Sequence, residues 1–325
     1  MDILRPRALR AGDTIGIVAP SRPTFTPTSI EFGRRILEDK GFRVRLGATV
    51  HRKNAYLAGT DEERAEDLNA MFADPEVAGI VCLRGGYGAM RMLGGVDFEL
   101  IRKNPKVFVG YSDITALHLA IWLHCRLVTF HGPMVASEMA GNFSSWTAGY
   151  FWRSLTEASP LGRIVNPPDG PRTFAITTGR AAGTLLGGNL SLVAATVGTP
   201  YGLGAGAATG GSLEGAILFL EDVGEEPYRV DRMLTQLRLA GLIQRAAGIV
   251  FGESVDCRPA EFRPGFPCTF SLEEVLFDRL GDLGIPVFYG LAAGHGSDKA
   301  TLPLGVRASM DADKGTLTIE EAAVA

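Results

Sequence analysis

The chain has 325 residues, enough for two domains with a substantial core. Hydrophobic residues make up 46% and charged residues 21%, which excludes a disordered chain, and a net charge of −4 gives no reason to expect nucleic acid or an anionic membrane as partner. Met1–Arg10 has no apolar leader, and no stretch approaches the roughly 18 apolar residues of a membrane span, so the expectation is a cytoplasmic protein.

The first half alternates strand and helix signals. Asp13–Pro20 reads as a buried strand ending in a Pro-Ser turn. Thr28–Lys40 reads as an amphipathic helix with Ile30, Phe32, Ile36 and Leu37 as its stripe. Phe42–Leu46 is a second strand and Asp61–Ala73 a polar-faced helix stopped before Asp74-Pro75. Val77–Leu83, Lys106–Tyr111 and Arg126–Phe130 are further strands. This alternation implies βαβ units and a mostly parallel sheet. From Gly162 to Gly179 the pattern breaks into a Pro- and Gly-rich crossing segment. Beyond it, the glycine-rich run Gly183–Val193 leads into a helix. Gly215–Leu220 and Ala247–Phe251 are strands flanking a helix at Pro227–Leu242, and Gly305–Met310 and Thr316–Glu320 form an antiparallel pair. The expected fold is α/β in two domains: residues 1–165, a linker at 166–180, and residues 181–325. Cys82, Cys125, Cys257 and Cys268 lack metal or disulfide spacing and read as small buried hydrophobes. No HExxH, Cys/His cluster or EF-hand loop is present, so neither metal nor cofactor is expected.

Two corners carry chemistry. After the strand Lys106–Tyr111, Ser112 sits where a helix begins at Asp113, exposing a hydroxyl beside a positive helix end. That suits a nucleophile elbow, although Ile114 replaces the second glycine of Gly-x-Ser-x-Gly, and a helix N-cap explains a serine there equally well. The turn Arg84-Gly-Gly-Tyr-Gly88 lacks the spacing of a phosphate cradle. It suits an oxyanion hole, with the N–H of Gly86 as one donor and that of Asp113 as the other.

A hydroxyl nucleophile needs a base and a group to orient it. His51 lies in a polar loop, and His118 and His124 lie too far along the helix after Ser112. His131 and His295 remain. Spacing favours His295, because glycines on both sides let its imidazole approach a neighbouring backbone. Glu221 ends the strand Ala216–Glu221 and is the candidate acid; the bland alternative pairs it with Arg229 or Arg232, while Glu225 and Glu226 read as first-turn helix charges. The order Ser112, Glu221, His295 is that of α/β-hydrolases. A non-catalytic rival is an α/β protein that holds an anion or a peptide on Ser112 and the Gly86 N–H without turnover.

The segments Gly12–Ser21, Leu83–Gly88, Gly110–Thr115, Phe130–Pro133, Gly187–Leu190, Phe219–Asp222 and Gly294–Gly296, taken together and in this order, resemble the LD-carboxypeptidases, the murein tetrapeptide carboxypeptidases of peptidase family S66. The resemblance implies a Ser112–Glu221–His295 triad and an oxyanion hole at Gly86 and Asp113. It also implies an N-terminal domain like class I glutamine amidotransferases, joined to a C-terminal swivelling β/β/α-type domain that carries the acid and base. The implied homodimer would remove terminal D-Ala from small muropeptides during cytoplasmic cell-wall recycling. Arg84 is then a candidate contact for a substrate carboxylate, or an arginine that only holds its own loop. The same family includes the microcin C immunity peptidase, which cleaves a peptidyl- or aminoacyl-nucleotide. Trp146 and Trp152 keep that reading open as rings that could stack on a nucleobase, or simply pack.

Overall fold

The computed structural model describes residues 2–204, 213–260 and 265–325. The strands are β1 (Thr14–Val18), β2 (Arg43–Leu46), β3 (Val77–Cys82), β4 (Val107–Gly110), β5 (Thr129–His131), β6 (Pro160–Ile164) and β7 (Phe174–Thr177). They continue as β8 (Arg180–Asn189), β9 (Ile217–Glu221), β10 (Gly248–Glu253), β11 (Val287–Gly294), β12 (Leu302–Leu304), β13 (Arg307–Asp311) and β14 (Thr316–Ala322). They make two sheets of order β12-β5-β4-β3-β1-β2 and β6-β14-β13-β8-β9-β10-β11-β7. In the first, β5, β4, β3, β1 and β2 are parallel and β12 runs antiparallel at the edge. In the second, β8 to β11 form a parallel centre with antiparallel strands on both sides.

β1, β4 and β9 are buried at every position, which is why they read as unbroken apolar runs. One buried cluster crosses both sheets, joining Val109 and Phe130 of the first to Leu185, Phe219 and Val250 of the second. The chain also crosses between sheets. β12, late in the sequence, completes the first, while β6 and β7, on either side of the Pro-rich segment, close the two edges of the second.

The helix at Asp61–Ala73 begins with a capping box, Thr60 and Glu63 bonding each other's backbone N–H. The helix at Pro27–Asp39 departs from the expected stripe: Ile30, Gly33 and Leu37 are buried, whereas Phe32 is 56% exposed. Phe32 lies about 200° around the helix from Ile30, on the opposite face. Cys82, Cys125 and Cys257 are buried as expected, but Cys268 is exposed. Among the described residues no helix is long and apolar enough to cross a membrane.

Candidate active site

The carboxyl ends of β4 in the first sheet and of β9 and β11 in the second carry the candidate residues, and the ends of β4 and β11 meet where the Tyr111 ring lies against His295. Gly110 ends β4, and Ser112 follows in a short 3-10 turn before the helix Thr115–Cys125. Glu221 is the last residue of β9, and His295 follows Gly294, the last of β11.

Ser112 has φ +63°, the left-handed conformation that a non-glycine residue adopts only when its surroundings impose it. Gly110 makes the corner possible: a Cβ there would meet the Ile114 side chain at 2.9 Å, so the bulk at position 114 is absorbed by the glycine before the serine. The 84–88 loop passes directly over the hydroxyl, since a Cβ on Gly85 would lie 3.1 Å from Ser112 Oγ. Gly86 has φ +128°, a Cβ on it would overlap the stem of Arg22, and its N–H donates to no group among the described residues.

His295 Nδ1 lies 2.6 Å from Glu221 Oε2. The Glu221 side chain is fully buried and that of His295 only 14% exposed. Glu221 pairs with neither Arg229 nor Arg232; Arg229 instead faces Glu225 at 3.8 Å. Gly294 is needed here, because a Cβ on it would stand 2.6 Å from Glu221 Oε2. His131, the other candidate base, is buried with neither ring nitrogen bonded to protein. Burial above all, and then the neighbouring cationic and imidazole groups, push its pKa far down, so it is neutral. His118 is a packing residue, with Nε2 2.8 Å from Gly110 O and Nδ1 2.9 Å from Thr129 Oγ1.

Side chains to which the motifs assign no role hold this arrangement. The Asp113 carboxylate accepts from Ser21 Oγ at 2.6 Å and from the Ala89 N–H at 2.8 Å, tying the elbow to two loops. Burial raises its pKa, and these hydrogen bonds oppose that rise. The Tyr111 ring meets His295 edge-on at 4.9 Å, and its hydroxyl donates to Glu138 Oε1 at 2.7 Å. Burial, followed by the Glu138 charge, keeps this phenol protonated. Lys299 Nζ donates to the same Glu138 oxygen at 3.1 Å and to Gly296 O at 2.9 Å. The Asn189 N–H donates to Thr115 Oγ1 at 3.0 Å, and a Cβ on Gly188 would strike the same hydroxyl. The Gly-Gly-Asn motif therefore docks the second sheet onto the helix that follows Ser112.

Arg84 lines a cavity of about 310 Å³ with Ser137, Glu138, Asn142, His295 and Lys299. Burial first, and then the Arg22 charge, lower its pKa. Trp152 stacks on Phe42 with centroids 5.7 Å apart, and Trp146 packs on Tyr150 at 4.7 Å; both rings lie against the core. Among the described residues no three of His, Cys, Asp or Glu gather as a metal-holding group.

Two family models match the sequence: the LD-carboxypeptidase N-terminal domain over residues 15–132 and the LD-carboxypeptidase C-terminal domain over residues 182–310. A probable murein peptide carboxypeptidase of Bacillus subtilis (strain 168) is 38% identical, over 97% of this chain and 94% of the relative. The structure is similar to muramoyltetrapeptide carboxypeptidase from Oxalobacter formigenes, with TM-score 0.79 and 31% identity over 95% of this chain and 99% of that one. It is also similar to the microcin C7 self-immunity protein in its wild-type apo state, with TM-score 0.87 and 26% identity over 99% and 100%.

Proposed function

This chain belongs to the LD-carboxypeptidase family, and on that premise we propose that it is a serine carboxypeptidase releasing terminal D-Ala from muropeptide tetrapeptides. The observation that carries the reading is the 2.6 Å contact between His295 Nδ1 and buried Glu221, behind a serine held at a strained elbow. Glu221 fixes the imidazole tautomer with the proton on Nδ1, leaving Nε2 as the base. Nε2 takes the Ser112 proton as Oγ attacks the carbonyl of the L-residue, then delivers it to the departing D-Ala amine. The N–H groups of Gly86 and Asp113 receive the oxyanion. Water then enters by the same route, and His295 activates it to hydrolyse the acyl-enzyme. Arg84, unpaired among the described residues and lining the cavity beside His295, suits the carboxylate of the leaving residue. The resemblance carries with it a cytoplasmic recycling role and a homodimer.

A second reading, cleavage of a peptidyl- or aminoacyl-nucleotide, draws support from the 0.87 TM-score to the microcin C7 self-immunity protein. The higher identity to the murein peptide relative ranks it second. The deciding experiment incubates the protein with L-Ala-γ-D-Glu-meso-diaminopimelate-D-Ala and, separately, with processed microcin C, following both by mass spectrometry. D-Ala release from the first alone is the expected result. Cleavage of the second alone replaces the proposal with the nucleotide reading, and cleavage of neither returns the non-catalytic binding protein.

A further inference from the structure

The loop 84–88 borders two spaces of different character. One is the cavity of about 310 Å³ that holds Arg84 and His295. The second is a cleft of about 840 Å³ lined by Arg22, Phe25, Ala55, Tyr56, Gly86 and Tyr87. Its aromatic side chains come from three separate segments, and Phe25, Tyr56 and Tyr87 are 61%, 59% and 55% exposed. Large apolar rings gathered in the open beside a reactive loop mark a binding surface. The stem of Arg22 lies across Gly86, where any Cβ would overlap its Cγ and Cδ. Neither Arg22 nor Arg84 has an ion pair or hydrogen bond among the described residues, yet they are close enough for the charge of Arg22 to depress the pKa of Arg84. Glu138 shares the cavity of Arg84 and offsets part of its charge, whereas Arg22, on the cleft side, leaves its guanidinium for an incoming anion.

The direction of the substrate follows from the chemistry. His295 must reach the leaving amine, so the cavity it shares with Arg84 receives the leaving residue. The aromatic cleft borders the same oxyanion loop at Gly86 and Tyr87, which makes it the second space open to the substrate and the one assigned here to the acyl chain. We propose that Arg22 and this cleft form an acyl-side subsite that binds a second free carboxylate of the substrate, which makes Arg22 a specificity-determining residue. The inference rests on the carboxypeptidase reading. In such a peptide this carboxylate has two sources: the side chain of the diamino-dicarboxylic acyl residue, or the α-carboxylate left free by the γ-linked D-Glu before it.

The test uses three peptides: L-Ala-γ-D-Glu-meso-diaminopimelate-D-Ala, the same peptide with L-Lys for diaminopimelate, and the same with D-isoglutamine for D-Glu. Each is given to the wild type and to Arg22→Gln, which keeps the stem over Gly86. For the wild type, kcat/KM should fall about tenfold or more on one neutralised peptide, mainly through KM, which is the factor expected of a charge-assisted hydrogen bond. In Arg22→Gln the ratio between that peptide and the parent should collapse towards one. Loss on the lysine peptide assigns the side-chain carboxylate, and loss on the isoglutamine peptide assigns the α-carboxylate. Equal wild-type rates on all three, or wild-type ratios kept in Arg22→Gln, overturn the subsite while leaving the carboxypeptidase reading intact. No D-Ala release from any peptide overturns both.

Discussion

His118 offers a quantitative test of how the elbow is built. It lies on the helix after Ser112, is buried, and binds Gly110 O through Nε2 at 2.8 Å. A carbonyl only accepts, so Nε2 carries the proton and Nδ1 accepts from the Thr129 hydroxyl at 2.9 Å. Burial lowers the pKa to about 4, with the Gly110 hydrogen bond opposing the change. Against an ordinary value of about 6.5, that interval corresponds to about 3 kcal/mol. Above pH 6.5 the imidazole is neutral in both folded and unfolded chains, and its contribution to stability is fully present. As pH falls from 6.5 towards 4, the unfolded chain binds a proton that the folded chain refuses, and stability drops. Between pH 7 and pH 5 the loss from this residue works out at about 2 kcal/mol. Urea unfolding of the wild type and of His118→Asn at both pH values isolates it, because His131 and the carboxylates remain in both proteins. The variant should lose about 2 kcal/mol less than the wild type over this range. Equal losses, or a His118 resonance titrating near 6.5 by NMR, would refute the assignment of a neutral imidazole bolted to the strand before Ser112.

Other outcomes can be stated more briefly. Asp113→Ala strands the Ser21 hydroxyl and the Ala89 N–H in a buried site, and each orphan costs about 1–3 kcal/mol, so unfolding in denaturant should show a destabilisation of about 2–6 kcal/mol. Ser112→Ala and His295→Ala should each lower kcat by several orders of magnitude, and the double variant should be no worse than either; additive losses would separate the two residues. Gly86→Ala places a Cβ on the Arg22 stem at φ +128°, and a kcat loss of about 10²-fold or more with KM nearly kept is the expected sign of a displaced oxyanion donor. Prolonged EDTA treatment should leave D-Ala release unchanged, and a loss restored by added metal would refute a mechanism built on Ser112 alone.

The apolar pattern is enough to place most of the parallel strands, because buried strands read as unbroken apolar runs, and the polar-faced run stopped before Asp74-Pro75 places the helix Asp61–Ala73. Local chemistry also picked out Ser112 and Glu221 as strand-end residues and the glycines around them as places of close approach. The helix at Leu272–Leu280 is missed because its mixed polarity over nine residues carries little period, and β11 because two glycines, Gly290 and Gly294, break an otherwise apolar run. Phe32 was assigned to the wrong face because its apolar character outweighed its angle on the helix. Spacing could rank His295 above His131 but could not bring either to a carboxylate 74 positions away; the common end point of β9 and β11 does that. Nor could any local signal reveal that β12 returns to the first sheet, or that Asp113 bonds Ser21 across 92 positions. A sequence records which side chains prefer burial and which turns need glycine, and these are properties of near neighbours. Which carboxylate faces which imidazole depends on strand order, and strand order is set by the packing of the two sheets around their shared core.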